Sequence, residues 1–185
     1  PRTPWAPVVA LAGLWFSTVL DGPSNMERAH PEHADIVCLG DCSSAGNSAE
    51  DNYCALLGGE NFSVPGASPT QTLAQWDAAQ QLSPRIVLWQ AGPNVKSAAD
   101  GALPQALATI AREAQQAGAR LVVVEYPVTL WPEPAWRRQA REGLPEGATL
   151  VDPHLRWWEI ADAVHLAPAA GGQRRIAAAV SEAIP

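Results

Sequence analysis

The run Leu121-Val122-Val123-Val124 constrains this chain more than any other feature. It has no polar residue to turn toward water, so as a strand it must be covered on both faces, as in a parallel sheet between helices. Four other short segments read as strands: Asp35-Ile36-Val37-Cys38-Leu39, ended by Gly40, then Asn61-Phe62-Ser63-Val64, Arg85-Ile86-Val87-Leu88-Trp89 and Thr149-Leu150-Val151. Between them, apolar residues recur at helical spacing. Ala45, Ala49, Tyr53, Leu56 and Leu57 form one stripe, stopped by Gly58-Gly59. Leu73 and Trp76 lie on a second helix, Leu103, Leu107, Ile110, Ala111 and Ala114 on a third closed by Gly118, and Ile176, Ala177, Val180 and Ile184 on the last. Strand and helix alternate at βαβ spacing. The expected fold class is α/β, a flavodoxin-like three-layer α/β/α arrangement with a mostly parallel five-stranded sheet.

A chain of 185 residues accommodates one such domain, expected over 35–185. Residues 21–34 read as a linker, opened by the breaker Asp21-Gly22-Pro23-Ser24. Residues 1–20 form an apolar N-terminal segment, uncharged from Thr3 to Leu20. That length overlaps a signal h-region or a short membrane anchor, whereas Pro4, Pro7, Gly13 and the lone preceding Arg2 fit a helix docked on the domain. Both readings stand, so membrane association through residues 3–20 is kept as an expectation. The chain begins at Pro1 without Met, from which trimming is expected.

The formal charge of −7 excludes a phosphate-tracking surface, so no nucleic-acid partner is expected. Charged residues make up only 17%, against roughly 25% in an average soluble protein. The cysteines Cys38, Cys42 and Cys54 lack zinc-site spacing, and no metal or other cofactor is expected. Cys38 and Cys54 read as core. Three cysteines cannot all pair, and free thiols fit a reducing compartment, so localisation leans cytoplasmic with export left open. Eight tryptophans, beside two Phe and two Tyr, point either to core filling or to an apolar ligand site.

In open parallel sheets, sites form beyond the carboxyl ends of the strands. There the chain places Gly40-Asp41-Cys42-Ser43, Val64-Pro65-Gly66, Gly92-Pro93-Asn94, the loop Trp131-Pro132-Glu133-Pro134-Ala135-Trp136, then Trp157-Trp158 and Asp162-Ala163-Val164-His165. A nucleophile type, small-residue loops, an amide and an Asp/His pair share one rim. The blocks Ile36–Gly46, Gly66, Gly92-Pro93-Asn94 and Asp162-Ala163-Val164-His165, in that order, resemble the SGNH (GDSL-type) esterases and acyl hydrolases over about residues 35–184. Three positions depart from that pattern. Cys42 stands where the family has its nucleophilic Ser, Val95 where an Asp follows the third-block Asn, and Leu166 where a Pro often follows the His.

The resemblance implies a Cys-His-Asp triad. Cys42 attacks the acyl carbon, His165 acts as general base and then acid, and Asp162 orients the imidazole. It also implies an oxyanion hole from the Cys42 and Gly66 backbone N–H groups and the Asn94 amide. A helix from about Ser44 would present its N-terminus to the thiolate, and Asp41 would cap the turn. Trp131, Trp136, Trp157 and Trp158 would line the substrate pocket. The expected activity is acyl hydrolysis or acyl transfer on an ester or thioester of an apolar acyl group, free or carrier-bound, through a Cys42 acyl-enzyme. Alternatives remain at this level. Cys42 fits a native cysteine variant or a Ser→Cys replacement that traps an acyl-enzyme of an ordinary serine esterase. The scaffold also fits a non-catalytic binder of an apolar ligand or partner, or the module of a membrane acyltransferase. Asp152-Pro153-His154 is a rival Asp/His pair.

Overall fold

The computed structural model describes residues 25–46, 52–90, 101–125, 135–155, 159–162 and 167–184, with the side chains of Trp136, 160–162 and Ala167 left outside that description. Five strands form one parallel sheet: β1 (Ile36–Gly40), β2 (Glu60–Asn61), β3 (Ile86–Gln90), β4 (Arg120–Val124) and β5 (Thr149–Val151), in the order β2-β1-β3-β4-β5. The register runs Ile36↔Ile86 to Gly40↔Gln90, and Ile86↔Arg120 to Gln90↔Val124. Helices cover both faces. The expected fold class is the observed one.

Side chains alternate between the two faces of a strand, and here each face has its own core. Val37, Leu39, Val87, Trp89, Leu121 and Val123 meet α3 (Pro69–Ala79) and α4 (Ala102–Gln116) through Trp76, Ala79, Leu103, Leu107 and Ile110. Cys38, Leu88, Val122 and Val124 meet the short α2 (Tyr53–Leu56) and the long α6 (Ala170–Ala183) through Tyr53, Cys54, Ile176 and Val180. Trp76 is fully buried, and its indole N–H donates to Glu113 Oε2 at 3.0 Å, which offsets the desolvation of its one polar atom.

Several expectations are corrected. The stripe from Ala45 to Leu57 is not one helix. Helix α1 (Cys42–Ala45) ends at Gly46, and α2 begins after its cap Asn52, whose side chain accepts the Ala55 N–H. The second strand is Glu60–Asn61 rather than 61–64. Phe62 and Val64 still donate to the Cys38 and Gly40 carbonyls, but the Asn61 carboxamide turns to Ser44 O and Ser63 N and bends the chain out of the ladder. Trp136 lies in a helix, α5 (Ala135–Glu142), not in a loop, and Asp162 lies in a strand of a small antiparallel ribbon, β6 (Ile160–Asp162) with β7 (Ala167–Pro168).

The largest correction concerns the cysteines. Cys38 and Cys54 are both buried and joined as a disulfide, with Cα atoms 6.0 Å apart. They are core residues, as expected, but not thiols. Cys38 points to the α2/α6 face of the sheet, where Cys54 on α2 packs against β1. The free-thiol argument for a reducing compartment therefore falls.

Part of the 21–34 stretch lies against the domain. Asn25 is buried and donates from Nδ2 to Ser63 O at 2.8 Å, and the His30 ring stacks on Phe62 with centroids 4.1 Å apart. No described helix is long and apolar enough to cross a membrane. The segment 1–20 lies outside the described residues.

Candidate active site

The strand order 2-1-3-4-5 reverses direction of winding between β1 and β3, and ligands of such sheets bind beyond the carboxyl ends at that switch point. The chain leaving β1 there carries Cys42. Gly40, the last residue of β1, has φ +144, and a Cβ on it would collide with the Gln90 carbonyl oxygen and the Ser44 hydroxyl. Only glycine fits, because the turn brings α1 directly against the end of β3. Asp41 is buried and caps α1, accepting the Ser43 N–H at 3.2 Å and the Ser43 hydroxyl at 2.9 Å. Helix α1 thus starts at Cys42, two residues earlier than the sequence spacing implied.

The cap also sorts the neighbouring nucleophile types. Ser43 is fully buried with its hydroxyl committed to Asp41, and Ser44 is fully buried with its hydroxyl near Gln90 Oε1 and the Tyr53 phenol. Cys42 is partly exposed and stays outside the disulfide. Its Sγ accepts the backbone N–H of Gly66 at 3.2 Å. Gly66 follows the Val64-Pro65 bend with φ +81, a left-handed conformation that turns its amide toward the sulfur. Two of the expected site residues are therefore together.

Beneath them runs a buried polar chain. Tyr53 donates its phenol to Ser44 Oγ, and Ser44 donates to Gln90 Oε1, each at 3.3 Å. Burial pushes the Tyr53 phenol above its ordinary range; the Ser44 bond opposes that shift and the negative charge of Asp41 adds to it. Tyr53 is a neutral donor at any physiological pH.

Asp162 is placed by its backbone in β6, just before the segment that holds His165. His165, Asn94, Trp131, Trp157 and Trp158, and the side chains of Asp162 and Trp136, lie outside the described residues. The rival pair does form a contact: His154 Nδ1 is 3.3 Å from Asp152 Oδ2. Asp152 is already engaged, however, since Arg137 Nη2 reaches the same oxygen at 3.6 Å and Asp152 Oδ1 takes the His154 N–H.

That arginine belongs to a cluster sequence reading missed. Glu125 follows β4 and is almost wholly buried, and Arg137 Nε on α5 donates to it at 2.8 Å, with Arg141 closing on the same oxygen. Arg137 thereby ties the carboxyl ends of β4 and β5 to α5. The available signal was the acidic residue after an apolar strand, followed by two arginines four apart on one helix face, Arg137 and Arg141.

With this geometry in place, comparison with known proteins is informative about fold. No protein-family model and no curated protein matches the sequence. Solved structures do match. TesA superposes with a TM-score of 0.60 at 21% identity, covering 80% of this chain and 96% of its own. The psychrotrophic esterase EstA from Pseudoalteromonas sp. gives 0.62 at 19%, covering 80% and 94%, and a putative acylhydrolase from Bacteroides fragilis gives 0.63 at 14%, covering 98% and 97%. The chain shares its fold with GDSL-like esterases and acylhydrolases. At these identities the likeness is one of architecture, and the chemistry has to be argued from this chain's own residues.

Proposed function

We propose that this protein is an ester hydrolase or acyltransferase that works through a Cys42 acyl-enzyme. The observation that carries the reading is the Gly66 N–H on Cys42 Sγ at the β1/β3 switch point. A backbone donor beside the only partly exposed side chain of the Cys42-Ser43-Ser44 run is the arrangement acyl transfer needs. The fold shared with esterases and acylhydrolases supports the same class.

In this mechanism His165, oriented by Asp162, takes the Cys42 proton as Sγ attacks the carbonyl carbon of an ester or thioester. The carbonyl oxygen becomes an oxyanion held by the Cys42 and Gly66 N–H groups and the Asn94 carboxamide. Collapse breaks the bond to the leaving alcohol or thiol, which takes its proton from His165. The acyl group then rests on Cys42 as a thioester. Water, an amine, an alcohol or a thiol, deprotonated by His165, releases it and restores the thiol. An apolar acyl group suits the low content of charged residues and the tryptophans expected from the sequence near the site, Trp131, Trp136, Trp157 and Trp158.

The disulfide supports residence in an oxidising compartment, because buried structural disulfides persist outside the reducing cytosol. Incubation with acyl esters and acyl-thioesters of increasing chain length, followed by intact mass and peptide mapping, tests the activity. The expected result is one acyl adduct per chain on Cys42, strongest for apolar acyl groups. Absence of adduct and of turnover with every substrate would overturn the reading.

A further inference from the structure

We propose that Gln75 and Gln173 are positioning residues for Cys42, holding the backbone just before and just after it from opposite faces of the sheet. The proposal rests on the reading of Cys42 as the nucleophile. Gln75 projects from α3, on the face that buries Trp76, and is fully buried itself. Its Oε1 accepts the Gly40 N–H at 2.8 Å and its Nε2 donates to the Gly40 carbonyl at 2.9 Å. Gln173 projects from α6 on the other face and is 1% exposed. Its Nε2 donates to the Ser43 carbonyl at 3.3 Å, and its Oε1 accepts the Tyr53 N–H at 2.9 Å.

The need for these clamps follows from the sheet. Pairing of β1 with β2 ends at Cys38↔Asn61, two residues short of Gly40. Beyond that point the edge of β1 has buried backbone groups and no continuous strand beside it, although Val64 N–H still reaches the Gly40 carbonyl. Gln75 supplies the acceptor that a neighbouring strand would give the Gly40 N–H, and adds a second donor to the Gly40 carbonyl. Gly40 is also where the chain adopts a conformation open to glycine alone, so its flexibility has to be removed by its partners. Gln173 does the matching task after the nucleophile, joining the backbone of α1 to the start of α2.

A carboxamide is the side chain suited to this. It donates and accepts at once, whereas an ionised carboxylate only accepts and would face the Gly40 carbonyl with like charge. It also adds no net charge beside a sulfur that must form an anion. Leucine or methionine in place of Gln75 would fill the space but remove the acceptor of the Gly40 N–H, and in place of Gln173 would remove the acceptor of the Tyr53 N–H. Displacement of a nucleophile by a fraction of an ångström lowers turnover far more than substrate binding, which the pocket walls decide.

The test uses the whole chain with Gln75→Leu, Gln173→Leu and Gln75→Glu, and two readouts. One is the KM-against-kcat split on the best acyl substrate. The other is the rate of iodoacetamide alkylation of Cys42, which needs no turnover. Each leucine variant is expected to lower kcat by about ten- to a hundredfold with KM within about twofold, and to change the alkylation rate by about fivefold or more. Gln75→Glu supplies a test that does not depend on the leucine variants folding. A protonated carboxyl keeps one donor and one acceptor for Gly40, and burial favours that form. Its alkylation rate relative to wild type at the same pH is therefore expected near unity in acid and falling as the pH rises. Folded leucine variants with alkylation and kcat within about twofold of wild type, or a ratio for Gln75→Glu that does not change with pH, would overturn the proposal. If the wild-type protein turns over no acyl substrate, the acyl-enzyme reading fails. The alkylation ratios still decide whether the two amides position Cys42.

Discussion

The backbone N–H of Gly66 reaches Cys42 Sγ across 3.2 Å, and Gly66 is held there in a left-handed conformation. An added Cβ would meet no atom within 4 Å, so Gly66→Ala changes the site through backbone strain rather than collision. Strain of this kind costs about 1–2 kcal/mol. The variant is expected to fold, to lose about that much stability in urea, and to lose on the order of a hundredfold in the acylation rate as the donor shifts. Cys42→Ala should keep wild-type stability within about 0.5 kcal/mol, since the side chain is partly exposed, and should form no acyl adduct. Single-turnover acylation followed by mass spectrometry, with urea melts on the same samples, checks both.

Cys38 and Cys54 bracket Cys42 and close a loop with a sequence separation of 16. The denatured wild-type protein, never reduced, should therefore titrate as one thiol with a chromogenic disulfide reagent, and as three after reduction. Loss of the link through Cys38→Ala with Cys54→Ala is expected to cost about 3 kcal/mol, the cost expected for a loop of this length. Urea melts of wild type and the double variant measure it.

How much of this was legible beforehand depended on whether the governing interaction was local. Leu121 to Val124 announce a doubly covered strand because every side chain in the run is apolar. The Gly40-Asp41-Cys42 turn announces itself by residue type. The Cys38–Cys54 link was not legible, since three cysteines allow three pairings and the choice depends on which sheet face each occupies. Gln75 and Gln173 act on backbone groups 35 and 130 residues away, so no local pattern names their partners. Their burial did leave a trace. Thr72, Gln75, Trp76 and Ala79 lie on one buried helix stripe, as do Gln173, Ile176, Ala177 and Val180, and a polar residue within such a stripe needs a polar partner. The sheet strands were readable to within a residue or two except β2. There Asn61 spends its side chain on Ser44 and Ser63 instead of continuing the ladder.

Glu125 and Arg137 form a nearly solvent-free pair, with side chains 3% and 8% exposed. Removing Glu125 takes away the 2.8 Å partner of Arg137 and leaves the buried guanidinium with its longer contact to Asp152 at 3.6 Å. Glu125→Leu is expected to cost about 3–5 kcal/mol. Adding Arg137→Met should recover part of that loss, because the buried guanidinium that lost its Glu125 partner disappears with it. Chemical denaturation of the two single variants and the double gives the coupling directly. Near-additive losses would show that the pair does not couple α5 to the strand ends.

Tyr53 links stability to alkaline pH. Burial raises its phenol above the unfolded value of 10.0, so the folded state holds the proton more tightly than the unfolded chain does. The sign follows from linkage. Its contribution is complete below about pH 10 and declines as the pH climbs toward the folded value, because only the unfolded state ionises in that window. The decline is bounded at about 1.4 kcal/mol per pH unit. Tyr53→Phe has no proton to lose. At about pH 8 the variant should be less stable than wild type by about 0.5–1.5 kcal/mol, through the lost bond to Ser44. Between about pH 10 and pH 11.5 that gap should narrow and then reverse, because wild type alone carries this alkaline penalty. Urea melts of both proteins across that range decide it. A gap that stays constant with pH would mean that Tyr53 ionises as readily in the folded protein as in the unfolded chain.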